Sequence, residues 1–194
     1  MASLETLQSL QEFGVGSKKN YVETVEGNAL TVFTKYMKCP FGILVTDTNP
    51  HFVPMMGIQK DTFRSFPMLH ELNGQFGECH LVKVVTTIEP TRPNQKPIER
   101  QGHVAALVIH KVLKDKKDKS KASDAQDAPK IYDSFRTSVA GMLESAKSLG
   151  VNIGMNQMGE GRRWDNFLTI LNEEAERIGF NGRIIAYKRR QSKS

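Results

Sequence analysis

The chain has 194 residues, 39% of them hydrophobic and 25% charged, the make-up of an ordinary globular domain long enough to bury one core. Its two cysteines, Cys39 and Cys79, lack metal-ligand spacing and are too few for a disulfide framework, so no metal or cofactor is expected and a reducing, cytoplasmic or nuclear setting is. No basic-then-apolar leader opens the sequence, no run approaches the ~20 apolar residues of a membrane span, and the net charge of +6 directs attention to anionic partners.

Taken in order, residues 2–13 place Leu4, Leu7, Leu10 and Phe13 three apart, a helical stripe that Gly14 and Gly16 end. Residues 1–19 are therefore expected to form an N-terminal helix and linker. The β-branched and aromatic runs 21–25, 30–34 and 41–46 predict strands, the third buried on both faces. Residues 59–72 predict a helix with a break near Pro67. Strands follow at 79–86 and 103–110, separated by the proline-bearing loop 90–102. The stretch 114–129, rich in lysine and aspartate and poor in apolar residues, predicts a mobile basic insertion. Ile131, Phe135, Val139, Met142, Leu143 and Ala146 then mark one face of a helix closed by Gly150. A strand at 151–155, a helix from Trp164 to Ile178 closed by Gly179, and a strand at 183–187 complete a single domain over 20–188, with 189–194 a basic tail. Strands alternating with helices imply a largely parallel sheet covered on both faces.

In such sheets ligands bind beyond the carboxyl ends of the strands, which selects two strand-to-helix loops. The first runs from Thr46 through Asn49, Phe52, Met56 and Gly57 to Ile58; the second runs from Met155 through Met158, Gly159, Glu160 and Gly161 to Arg162 and Arg163. Loop amides at a helix start suit a phosphate, and glycines let the backbone approach it. Glycines before a helix also serve as plain turn residues. Trp164, which begins an apolar stripe, reads as a core anchor, and Phe52 is the better aromatic candidate for a ligand.

Together these features resemble the macro domains, the ADP-ribose-binding family that includes ADP-ribose-1″-phosphate processing enzymes. Gly27-Asn28-Ala29-Leu30 is similar to the family's Gly-Asp element before the second strand. Asn49, Met55-Met56-Gly57-Ile58 and Phe66-Pro67 fall at the intervals of its Asn, Gly-rich turn and Phe-Pro helix end. Phe76-Gly77-Glu78-Cys79 resembles its entry to the next strand, and Ile153, Met155, Gly159, Gly161 and Trp164 match its second glycine loop. The likeness covers about residues 20–188 and is nearest to the terminal ADP-ribose protein glycohydrolase branch. It implies a three-layer α/β/α sandwich with a mixed, largely parallel sheet of six to seven strands.

The resemblance further implies that Asn28 accepts from the adenine amino group and that Asn49 faces the distal ribose. Phe52, Met56, Gly57 and Ile58 would line the first side of the ligand, and Met158, Gly159, Gly161 and Arg162 the second. Met55 replaces the first glycine of the family's turn, and the second loop is about three residues shorter than in the family. For catalysis, Lys111 stands where the glycohydrolase branch has a nucleophilic lysine, and Glu160 is the one carboxylate left in the second loop. Lys111 also reads simply as the first solvated residue of the lysine-rich stretch. Two functions stay open. One is ADP-ribose recognition, with hydrolysis of ADP-ribosyl or ADP-ribose-phosphate substrates and an ADP-ribosylated protein as partner. The other is a degenerate fold serving as a non-catalytic module for a protein, or for nucleic acid through the basic loop and tail, although no aromatic residues interleave with those lysines in the sequence.

Overall fold

The computed structural model describes residues 18–55, 57–111 and 122–190, and side chains over 122–129 are not among those described. The expected N-terminal helix lies outside these residues, as do Met56 and residues 114–121 of the expected insertion.

Among the described residues six strands form one sheet: β1 (Val22–Glu26), β2 (Ile43–Thr48), β3 (Cys79–Ile88), β4 (Ile98–Val108), β5 (Ile153–Asn156) and β6 (Ile184–Lys188). Their order across the sheet is β1-β6-β5-β2-β4-β3, every neighbouring pair parallel except the antiparallel β3–β4 hairpin. Side chains alternate between two cores as the pleat requires. Ile43, Val45, Leu107, Ile153 and Met155 face α3 (Ala122–Leu149) and α4 (Arg162–Ile178). Leu44, Val104, Ala106, Val108 and Ile185 face α1 (Ala29–Lys35) and α2 (Gly57–Ser65). The result is a three-layer α/β/α sandwich with a mixed, largely parallel sheet.

Three elements differ from the sequence expectation. Residues 30–34, expected to be a strand, belong to α1. Asn28 accepts from the amides of Leu30 and Thr31 at 2.9 and 3.4 Å, and Ala29, Leu30, Val32 and Phe33 bury one helical face, so cap and burial override the β-preference of Val, Phe and Thr. Arg100 of β4 closes the other end, donating to the carbonyls of Tyr36, at 2.8 Å, and Phe33. The second strand of the hairpin begins at Ile98, which pairs with Ile88, so the proline loop shrinks to 89–97. Residues 122–129 of the expected insertion are the opening turns of α3.

Other boundaries follow the local chemistry. After α2, Pro67 opens a 3-10 turn, Pro67–Glu71, where its missing N–H is no loss. Gly179, at φ 70° and ψ 43°, ends α4 in the left-handed conformation, its amide and that of Phe180 bonding back to Glu176 and Ala175. At the centre of the sheet, a Cβ on Gly154 would stand 2.4 Å from the Phe41 ring, so glycine is what lets that ring close the α1-side core.

Candidate functional site

The carboxyl ends of β1, β6, β5 and β2 open on one edge of the sandwich, where a cleft of about 250 Å³ lies between the β1–α1 turn, the β5–α4 loop, the end of β6 and the start of α2. Its first wall is held by two asparagines. Asn156, the last residue of β5, accepts from the Ala29 amide at 2.9 Å, beside the cap that Asn28 provides for α1. Gly27, at φ 142°, bonds the Lys188 carbonyl at 3.0 Å and ties the turn to β6. Because the Asn28 side-chain oxygen is engaged by two amides and faces the Asn156 amide at 3.5 Å, it is not free to accept from an adenine amino group. What Asn28 offers the cleft is its NH₂ donor, which suits a ring nitrogen or an anionic oxygen, and the expected role is corrected accordingly.

The second wall is the β5–α4 loop. Gln157 is anchored by its amide to the Tyr187 carbonyl and by its side chain to the Gly159 carbonyl, at 2.9 and 3.0 Å. Gly159 has φ 82°, and Gly161 has φ 57° with ψ −134°, a conformation that belongs to glycine. Gly161 is the N-cap of the 17-residue α4 and makes no side-chain cap, so the positive end of that helix begins one residue beyond Glu160, which lines the cleft. Arg162 is exposed at the first helical position. Arg163 is occupied otherwise, its guanidinium 5.8 Å from the centre of the Phe167 ring. Met158 packs against the α3–α4 core and Trp164 is buried within it, the anchor expected for the latter. Glu160, Lys188 and Arg189 line the cleft and are exposed; the two cations have no carboxylate partner among the described residues.

The β2–α2 loop departs furthest from expectation. Asn49 is fully buried, donating to the Val53 carbonyl at 2.6 Å and accepting from the amides of His51 and Val53, so it organises the loop and does not face a ribose. Phe52 is buried at φ 51° with its ring edge-on to His80, and it too is withdrawn from any ligand. Met55 turns its amide inward to Gln59, at 3.0 Å, which removes the backbone donor a glycine turn would offer. Gly57 begins α2 with open space around it, and Ile58 alone of this loop reaches the cleft wall.

Beyond Gln59 lies a polar cluster that the sequence does not assemble, although a hydrogen-bonded histidine at the end of a strand, such as His110, is what it leads one to expect. Gln59 donates to Asp47 at 2.9 Å, and the same carboxylate pairs with His110 at the end of β4. Burial pushes the Asp47 carboxyl up, but the hydrogen bond and charge of His110 and the Gln59 amide outweigh it and hold the group below the usual carboxylate range. Lys111 follows His110 and is exposed. The cleft walls include Glu160 but not Lys111, because β2 runs between β4 and β5, a separation of two strand spacings or about 10 Å. The expected catalytic pair therefore does not share the cleft. Asn156, Lys188 and Arg189 were also missed; β6 beside β5 puts them there, a neighbourhood that topology sets and local sequence does not.

No family model and no curated protein matches the chain. Solved structures do. The macrodomain of Thermus aquaticus DarG superposes with a TM-score of 0.55 at 15% identity, covering 86% of this chain and 97% of that one. A macrodomain protein from Streptomyces coelicolor gives 0.56 at 13%, covering 86% and 97%. Thermosipho africanus DarTG in complex with ADP-ribose gives 0.55 at 13%, covering 91% of this chain and 43% of that one. The chain has the macrodomain fold, in a form far diverged in sequence.

Proposed function

We propose that this divergent macrodomain binds ADP-ribose, or a nucleotide diphosphate of the same build, in the cleft at the carboxyl ends of β1, β6 and β5. The observation that carries the reading is the β5–α4 loop, whose Gly159 and Glu160 line the cleft with Lys188 and Arg189 immediately before the uncapped N-terminus of α4. Glycine-loop backbone and two cations that no carboxylate pairs among the described residues, against the one carboxylate Glu160 in the cleft wall, favour a diphosphate over a neutral ligand. The donor amide of Asn28 and the apolar side of Ile58 suit the rest of a nucleotide. The ADP-ribose complex of the similar DarTG supports the choice of ligand.

Binding in the micromolar range or weaker corresponds to about 8 kcal/mol or less, within reach of a few such contacts. Calorimetry with ADP-ribose, ADP and ribose 5-phosphate tests the reading. ADP-ribose should bind most tightly, ribose 5-phosphate weakly, and Gly159→Val should abolish binding, because a side chain there meets Arg163 at 3.0 Å in a left-handed backbone. Equal and undetectable binding of all three would defeat it.

Hydrolysis of a linkage on the distal ribose, in an ADP-ribosylated protein or ADP-ribose-1″-phosphate, would require that ribose to extend past Ile58 toward the ends of β2 and β4, where Lys111 stands. Lys111 as nucleophile is the form of catalysis we propose for it; Glu160, the proton-transfer group expected beside it, lines the cleft on the other side of β2. Lys111→Ala should then lower turnover by several orders of magnitude with little change in affinity. Turnover that survives Lys111→Ala would point to attack by water, and binding without any turnover would make the protein a reader.

A further inference from the structure

On the other side of Gly27 and Asn28 from the cleft lies a second concavity, of about 550 Å³, which shares Tyr187 and Arg189 with it. It follows the outer side of α1, seven residues or about 10 Å of helix, to Tyr36 and Lys38 beyond the helix end. Lys38, Arg189 and Arg190 face it, against the single carboxylate Glu26. Arg190 and Glu26 stand 3.3 Å apart but are 88% and 71% exposed, so water screens the pair and a stronger anion can displace the carboxylate. Lys38 and Arg189 have no carboxylate partner among the described residues. Tyr36 leaves over half its surface open to solvent, while its carbonyl is pinned by Arg100. An exposed aromatic ring, on a backbone fixed at the end of a cationic groove, is what unpaired bases stack on.

We infer that this groove binds single-stranded nucleic acid, with phosphates on Lys38, Arg189 and Arg190 and a base on Tyr36. The linear sequence separates Tyr36 from the basic tail by some 150 residues, and the parallel pairing of β1 with β6 brings them to one surface. A duplex, with its bases sealed in the stack, has no use for Tyr36. An acidic peptide would use the charges alone.

The test is fluorescence anisotropy with a labelled single-stranded RNA of about twelve nucleotides, long enough to fill one such site. Three phosphate contacts predict that log K falls with log salt at a slope of about −2, each contact contributing about 0.7. Lys38→Ala and Arg190→Ala should each flatten the slope by about 0.7. Tyr36→Ala should weaken binding about tenfold without changing the slope, and Glu26→Gln should tighten it. Tyr36, Lys38 and Arg190 do not line the cleft, so their variants keep whatever ADP-ribose affinity the protein has, and the two proposals fail independently. RNA binding unchanged in all three variants would overturn the inference, since it would then arise elsewhere on the basic surface. So would equal binding of duplex or polyglutamate, or no binding at low salt.

Discussion

Replacing Gly161 by alanine isolates the conformational demand of the β5–α4 loop. A Cβ at this position meets no atom within 4 Å, so no clash contributes, and the whole cost comes from φ 57° and ψ −134°, the first central position of a type II′ turn. Holding an L-residue there costs about 1–3 kcal/mol. At about 2–4 °C per kcal/mol for a domain of this size, a cost of about 2 kcal/mol lowers Tm by about 4–8 °C. If the chain instead relieves the strain by rotating the neighbouring peptide, Tm holds but the amides at the start of α4 swing off the cleft. On the second course ADP-ribose affinity should fall about tenfold, a loss of about 1.4 kcal/mol. Gly57→Ala is the control. That glycine also has open space around its Cβ, but it lies in the first turn of α2 without a positive φ, so alanine should leave affinity unchanged and raise stability by up to about 1 kcal/mol. Thermal unfolding and calorimetry of both variants read the contrast. If Gly161→Ala matches wild type in Tm and in affinity, the loop conformation is not what the site depends on.

Asn49→Ala should cost about 2–3 kcal/mol in the absence of any ligand, measured by urea unfolding, because it removes the three side-chain hydrogen bonds that hold the loop, to the amides of His51 and Val53 and the carbonyl of Val53. Gly154→Ala should destabilise by about 1–3 kcal/mol in the same assay, since the Phe41 ring has nowhere to retreat within the core. Asp47 has its folded pKa lowered, so its pairing with His110 contributes stability that is present above the ordinary carboxylate pKa of about 4 and is lost as pH falls through the lowered folded value. Acid unfolding of Asp47→Asn should lack that component of the pH dependence; an identical profile in both proteins would remove the pair from the account.

The sandwich was legible because its signals are local. The apolar stripe from Ile131 to Ala146 and the run of Trp164, Phe167 and Leu171 are burial patterns of helices whatever surrounds them, and Gly150 and Gly179 stand where left-handed caps are needed. Gly159 and Gly161 were legible for the same reason, since both have the positive φ expected of a glycine loop. Residues 30–34 were misread because a β-branched run has the same composition in a strand and in a short capped helix, and the cap that decides between them lies outside the run, at Asn28. Asn49 and Phe52 sit at the spacing of binding residues but are turned inward, which depends on three hydrogen bonds inside one loop. Lys188 and Arg189 read only as the end of the domain and the start of the basic tail because their place beside the β5–α4 loop comes from strand order, which no local pattern encodes.

ADP-ribose should enter the cleft between the β1–α1 turn and the β5–α4 loop, and amide chemical-shift mapping by NMR tests this directly. On titration, the largest shifts should fall on Gly27, Asn28, Gly159 to Arg162 and Arg189, with little change at Asn49 and Phe52, whose side chains are buried away from the cleft. Shifts centred on Asn49 to Val53, or saturation of the spectrum with ligand and no movement at Gly159 and Gly161, would contradict it.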